Sequence, residues 1–240
     1  MLLRLPTSVS EAREHLAEGA VPVGGATLVW AAWQRDGFPD LAVSLRNLPE
    51  ANELGRERLG AAVLLHRIDD RVPEVLHRAA ATVGTGAVRR TATVGGNIVG
   101  STLRCLLPAA LVLDARATVL GPDGVHDIDL IELIAKKPLL LSLRWRAPLA
   151  SGYRKLPADA GGPPPLVVAA AVGTDEDGHR RLRVAVRDGY EVLSESTDGG
   201  AAPARAVDAL AHTALGSLPP GARDVVREQV TDVLDRAAGH

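Results

Sequence analysis

Residues 91–100, TATVGGNIVG, place a short β-like run ahead of two adjacent glycines and an asparagine. A glycine pair lets the backbone approach another group closely and adopt turns that other residues resist. Residues 21–28, VPVGGATL, follow the same design, with Gly24-Gly25 after an extended run and Thr27 close behind. Successive N–H groups in such turns form a concavity suited to anions, and a pyrophosphate-bearing nucleotide is its natural occupant. Neither loop fits the GxGxxG fingerprint or the P-loop lysine pattern, so any nucleotide site here is of another kind. A Gly-Gly between strands is most often an ordinary turn. Taken alone, the loops reach as far as an α+β protein with a candidate nucleotide site.

Upstream of the first loop, a short apolar strand opens the chain. Ser8 with Glu11 three residues later signals a helix start, and Ala12, Leu16 and Ala17 repeat at helical spacing up to Gly19. Residues 28–33 predict a helix after the first loop. Residues 41–45, LAVSL, and 59–68, LGAAVLLHRI, read as strands. A helix follows from about Arg71 to Val83, with Pro73 near its start, where the missing N–H has no helical partner anyway.

Downstream of the second loop, Pro108 opens a helix to about Leu113. Residues 117–120 and 125–128 flank Gly121-Pro122-Asp123-Gly124, a hairpin signal, and residues 139–148, LLLSLRWRAP, form a strand ended by Pro148. Residues 158–165, ADAGGPPP, are a turn-rich candidate junction. LVVAAAV at 166–172 and RLRVAVRDG at 181–189 are strands, residues 198–204 a small-residue linker, and the remainder is helical with a break at Leu218-Pro219-Pro220-Gly221. Strands and helices mix without regular alternation, which favours an α+β fold over a doubly wound sheet.

Composition narrows the function classes. With 240 residues, two or three small units are expected. Hydrophobic residues make up 46% but aromatic ones only 2%, so the core is built from Ala, Val and Leu, and little is available to stack bases. Basic residues are dispersed and the net charge is −2, which argues against nucleic acid. Cys105 is the only cysteine, so this chain by itself holds neither an intramolecular disulfide nor an iron–sulfur cluster. A lone cysteine beside Arg104 is more often a small buried hydrophobe than a reactive thiol. The histidines at 15, 66, 77, 126, 179, 212 and 240 lack ligand spacing, and no metal site is expected. Asp69-Asp70 and Asp175-Glu176-Asp177 read as loop charges. There is no charged-then-apolar leader and no apolar run of membrane-spanning length, so the expectation is a cytoplasmic protein without membrane contact.

The order of these pieces resembles the FAD-binding (medium) subunit or domain of the molybdenum hydroxylases, the carbon monoxide dehydrogenase and xanthine dehydrogenase type. VGGATL at 23–28 is similar to that family's first glycine loop and VRRTATVGGNIV at 88–99, the most specific piece, to its second. LGAAVLLHRI, LPAALVLDARATVLGPDG at 107–124, LLLSLRW and GYRKL at 152–156 resemble the segments that follow in turn. The resemblance covers about residues 1–195. It implies a two-subdomain FAD-binding fold of the kind shared with vanillyl-alcohol oxidase-like flavoproteins. The subdomains fall at 1–55 and 56–150, with a shortened C-terminal α+β domain at 151–240.

The resemblance further implies which residues meet FAD: Val23, Gly24, Gly25, Ala26, Thr27 and Leu28 on one side of the pyrophosphate, and Thr93, Gly96 and Asn97 on the other. Leu140 matches a position that packs on the flavin ring, and Lys155 a lysine near it, where a cation stabilises negative charge on a reduced flavin. The implied activity is that of an FAD-dependent oxidoreductase or its flavin subunit, passing electrons between molybdenum and iron–sulfur partner subunits and an acceptor. A stand-alone flavoprotein of a specialised biosynthetic pathway and a flavin-free scaffold with the same fold are the alternatives. One departure bears on them. STLRCLLP at 101–108 replaces the family's acidic segment, so that Leu106 stands where an acid is usual, and Arg104 reads equally as a substitute phosphate contact or as a surface residue. Trp145 is read as packing, not flavin stacking.

Overall fold

The structure, a computed structural model, describes residues 1–157 and 161–239. Part of the ADAGGPPP junction, at 158–160, and His240 lie outside the described residues. Strands and helices are numbered along the chain. Its contacts divide it into two units that are discontinuous in sequence. The first comprises Met1–Val72, Val83–Cys105 and Ala115–Trp145, and the second Pro73–Thr82, Leu106–Asp114 and Arg146 onward.

In the first unit, β1 (Leu2–Arg4), β2 (Val21–Pro22) and β3 (Leu41–Val43) form a parallel sheet in the order β1-β3-β2. Helix α1 (Val9–Ala17) connects β1 to β2. Ser8 caps it by accepting from the Glu11 N–H at 3.2 Å, and the Glu11 carboxylate reaches back to the Thr7 N–H at 2.7 Å. The Ser8–Glu11 spacing predicts such a capping pair, although the carboxylate's 2.7 Å bond is to the N–H one residue before the cap. Helix α2 (Trp30–Asp36) follows the first glycine loop. It starts two residues later than the sequence suggests, because residues 27–29 form a turn instead. The same unit holds two more short helices, α4 (Gly86–Arg89) and α6 (Leu130–Lys136).

The unit's second sheet is antiparallel, in the order β4-β5-β8-β6-β7, from β4 (Leu54–Gly55), β5 (Arg58–Gly60), β6 (Arg116–Gly121), β7 (Gly124–Ile128) and β8 (Leu139–Arg144). The β6–β7 hairpin turns at the expected Gly121–Gly124 pair. Ala12 of α1 packs with Leu45, Leu48 and Ala51, Leu120 of β6 and Leu141 of β8 in one apolar cluster. Trp145, just past β8, is buried and donates its indole N–H to the Arg56 carbonyl at 3.0 Å, so it packs as expected.

LGAAVLLHRI behaves differently from a strand. Only its first two residues belong to β5. The backbone of residues 61–65 is bonded instead to the second glycine loop, with Val94 N–H donating to Val63 O at 3.0 Å, Gly95 N–H to Ala61 O at 2.8 Å and Leu65 N–H to Ala92 O at 3.0 Å. Apolar runs of this length do not by themselves distinguish a ladder strand from a buried irregular segment.

The second unit is built on an antiparallel sheet, β12-β11-β10-β9, from β9 (Ala150–Lys155), β10 (Val167–Thr174), β11 (Arg180–Asp188) and β12 (Glu191–Asp198). Alternation along β9 shows how its faces are used. A Cβ on Gly152 would meet Gln229 and Val233 of α8 (Pro220–Ala238). Its neighbour Ser151 accepts from the Val75 N–H at the start of α3 (Glu74–Ala81), and Tyr153 meets Thr82 at that helix's end. Helices α7 (Pro203–Ala211) and α8 cover the face of Val168, Ala170, Val172, Leu182, Val184 and Val186. Helices α3 and α5 (Leu107–Val112) cover the other. Central strand β10 is therefore buried on both faces, which explains its unbroken VVAAAV. Among the described residues no helix is long and apolar enough to cross a membrane.

Candidate functional site

Both glycine loops belong to the first unit, and they lie against each other. A Cβ on Gly25 would sit 1.7 Å from the carbonyl oxygen of Thr91, and one on Gly24 2.3 Å from Thr93 Oγ1. The first glycine pair is thus small because the second loop packs on it. The second pair packs in turn on Ala61, whose Cβ lies 3.1 Å from a Cβ built on Gly95. Leu28 Cδ1 would approach a Cβ on Gly100 at 3.8 Å, extending the contact to the far end of the second loop.

The loops differ in how their N–H groups are used. In the second, the chain turns helical at Val94 and passes into a π-type turn over Gly96–Gly100, with Ser101 N–H donating to Gly96 O at 3.0 Å. Asn97 N–H donates to Thr93 O at 3.0 Å and Gly96 N–H to Thr93 Oγ1 at 3.2 Å. Thr93 and Asn97 are both buried. The N–H groups of Val94 to Asn97 are thus taken up, by residues 61–63 and within the loop, and local sequence read as a turn does not disclose its helical character. π-Turns of this kind recur at functional sites.

In the first loop, Val23 N–H donates to Val43 O at 2.8 Å, anchoring the loop to β3. Beyond it, the N–H groups of residues 24–29 have no acceptor among the described residues. Ala26 has φ +56°, a left-handed conformation that a non-glycine residue seldom adopts. A left-handed residue in a short turn splays successive N–H groups to one side, the geometry of an anion-binding nest. Thr27 and Leu28 are exposed, and Gly25 and Ala26 are half-buried.

These features fit a pyrophosphate. The first loop offers unbonded N–H groups, and the second provides the rigid support behind them. No Asp or Glu occurs in residues 19–35 or 91–113 to repel an anion. Arg104 has φ +40°, and its Nε is buried without a hydrogen-bond partner among the described residues. Nothing in the sequence signalled that unpaired atom or the difference between the two loops.

The other expected site residues are placed separately. Leu140 lies in β8 opposite Val119 at a register shift and is 3% exposed. Lys155 ends β9 in the second unit. Its ammonium donates to the Thr82 carbonyl at 2.8 Å, at the C-terminal end of α3, where a cation is favoured by the helix dipole. Leu106 is fully buried at the start of α5 in the second unit. Cys105 is buried too. Asp175, Asp177 and His179 draw their ligand atoms together at the β10–β11 turn. Asp175 Oδ1 accepts from the N–H groups of Asp177 and His179 at 3.1 and 2.8 Å, so the cluster is accounted for by an exposed Asx turn.

Comparison with solved structures shows the same fold across nearly the whole chain. The Cu,Mo carbon monoxide dehydrogenase in a cyanide-inactivated form aligns with a TM-score of 0.70 at 20% identity, covering 99% of this chain and 97% of that one. Reconstituted CO dehydrogenase from Oligotropha carboxidovorans gives 0.71 at 20% identity over 99% and 97% of the two chains. Quinoline 2-oxidoreductase from Pseudomonas putida 86 gives 0.69 at 18% identity over 99% and 96%. The fold similarity thus runs past residue 195, where the sequence resemblance gives out, because packing tolerates substitutions that erase sequence similarity. A comparison with curated proteins gave no match. Residues 3–142 match the family described as "FAD binding domain in molybdopterin dehydrogenase". The chain belongs to that family, with FAD as its cofactor, and is an FAD-dependent oxidoreductase or the flavin subunit of one.

Proposed function

We propose that this chain is the flavin-holding component of a molybdenum hydroxylase, relaying electrons from molybdenum and iron–sulfur partner subunits to an acceptor. The observation that carries this reading is the row of unbonded N–H groups at residues 24–29, bent around left-handed Ala26 and backed by the second loop. When bound, FAD supplies the redox chemistry, accepting and releasing electrons. The chain supplies binding and orientation. The first-loop N–H groups, from Gly24 to Leu28, hold the diphosphate. Val23 fixes the loop's origin, Thr93 and Gly96 brace it, and Asn97 stands beside them. Leu140 is assigned to the ring by its match to the family position alone, since it is almost wholly buried in β8. Lys155 is assigned by its match to the family lysine, as a cation held in place by Thr82. With a single cysteine, this chain leaves iron–sulfur chemistry to a partner. The finer fold reading also belongs here: FAD-binding subdomains at 1–55 and 56–150 of the vanillyl-alcohol oxidase-like kind, and a C-terminal domain at 151–240.

The test is the absorbance spectrum of the freshly purified chain, with mass spectrometry of the released cofactor. The expected result is a yellow protein that releases FAD, or a colourless one that takes up stoichiometric FAD on titration. A colourless chain that gains no flavin in excess FAD would sink the proposal. Co-expression with molybdenum and iron–sulfur subunits should yield a complex that survives gel filtration.

A further inference from the structure

We propose that Arg104 is the cationic contact for the diphosphate of the bound dinucleotide, an assignment that rests on the FAD reading above. Four observations converge on it. Arg104 is held at φ +40°, a conformation unfavourable for any side chain with a Cβ, and such strain persists where the surroundings or a ligand require it. Its Nε is buried with no hydrogen-bond partner among the described residues, and no ion pair engages its guanidinium there. A desolvated guanidinium edge without an acceptor costs stability unless an anion completes it. In sequence it is the only Lys or Arg between Arg90 and Arg116, a stretch that contains the glycine pair and π-turn of the second loop.

Position completes the case. Arg104 belongs to the same unit as both glycine loops. Gly100, at the end of the second loop, adjoins Leu28 of the first. Past Gly100 the chain bends, with the Leu103 N–H donating to Ser101 Oγ at 3.2 Å. Four residues of chain span at most about 14 Å, so the Arg104 backbone lies within that reach of Gly100. Residues 21–28 and 91–100 carry N–H, hydroxyl and amide donors but no cation, while a diphosphate carries two negative charges. Arginine suits the remaining task, since its planar fork gives paired, charge-assisted bonds to phosphate oxygens.

The experiment titrates the flavin-free chain with FAD and with riboflavin, which lacks phosphate, following flavin fluorescence. Thermal unfolding of the flavin-free chain is measured alongside. Arg104→Gln is expected to weaken FAD binding about tenfold or more, leaving riboflavin binding unchanged, and Arg104→Lys to recover part of the loss. Arg104→Gly releases the left-handed strain, so the flavin-free variant melts at or above the wild-type temperature while still losing FAD affinity. That opposition between stability and binding is not expected of a merely structural arginine. The assignment is overturned if Arg104→Gln and Arg104→Gly bind FAD within about twofold of wild type, or if FAD and riboflavin weaken together with a fall in melting temperature. If the wild-type chain itself takes up no FAD, the underlying flavin reading fails, and this assignment with it.

Discussion

Gly25 and Gly96 carry the same residue type for different reasons, and their substitution separates those reasons. A Cβ at Gly25 meets backbone, the Thr91 carbonyl oxygen at 1.7 Å, and no rotamer change relieves that. A Cβ at Gly96 meets only Thr93 Oγ1 at 3.2 Å, within a helical turn where alanine is favoured over glycine. Gly25→Ala is expected to cost several kcal/mol, as overpacking against fixed backbone does, or to prevent folding of the first unit. Gly96→Ala should change stability by less than about 1 kcal/mol. Urea titration of both variants checks this, with equal midpoints for the two counting against the packing of one loop on the other. The consequence for cofactor studies is direct. Loss of FAD in Gly25→Ala would report a disrupted loop, whereas loss in an otherwise stable Gly96→Ala would point to a role of the second loop in holding the cofactor.

At the scale of elements, some structure was legible and some was not, for identifiable reasons. The Ser8–Glu11 cap, the Gly121–Gly124 hairpin and the two-face burial of VVAAAV all follow from interactions among neighbouring residues or from a run of one residue class. LGAAVLLHRI was not legible, because its backbone partners come from residues 92–95, some thirty positions away. The π-turn at Gly96–Gly100 was hidden by its glycines, which suggest a loop wherever local sequence alone decides. Long-range polar ties were equally hidden. Arg236 of α8 pairs with Glu74 of α3 at 2.6 Å and Asp232 at 2.8 Å, and donates to the Ser151 carbonyl of β9 at 2.9 Å. It thereby joins helices on opposite faces of the second unit's sheet. Arg236→Met should lower stability by about 1–2 kcal/mol, less than a fully buried charged bond because both carboxylates are partly exposed. The check is a lower urea midpoint at unchanged slope. An unmoved midpoint would mean the tie is decorative.

At the scale of the whole molecule, the chain passes from one unit to the other after Val72, Thr82, Cys105, Asp114 and Trp145. The sequence does not disclose this. In α3, Val75, Leu76, Ala79 and Ala80 announce a buried face, but nothing local says that the sheet they cover begins with β9, about seventy residues later. The same holds for α5, whose apolar residues lie against β10 and β11. The family match over residues 3–142 therefore spans α3 and α5 without the sheet those helices pack on. A chain ended at Trp145 leaves both helices with exposed apolar faces and removes the whole of β9 to β12. It is expected to bind the dye ANS, to lose near-UV dichroism and to melt without a cooperative transition, as compact chains without fixed packing do. The full chain should unfold sharply under the same conditions. A truncated chain that melts in one cooperative step with native-like near-UV dichroism would show that the first unit folds alone. The two excursions would then be ornament on an independent domain. The expected result instead makes the fold of the first unit depend on the C-terminal sheet, because the segments that flank the second glycine loop on either side, α3 and α5, are anchored there.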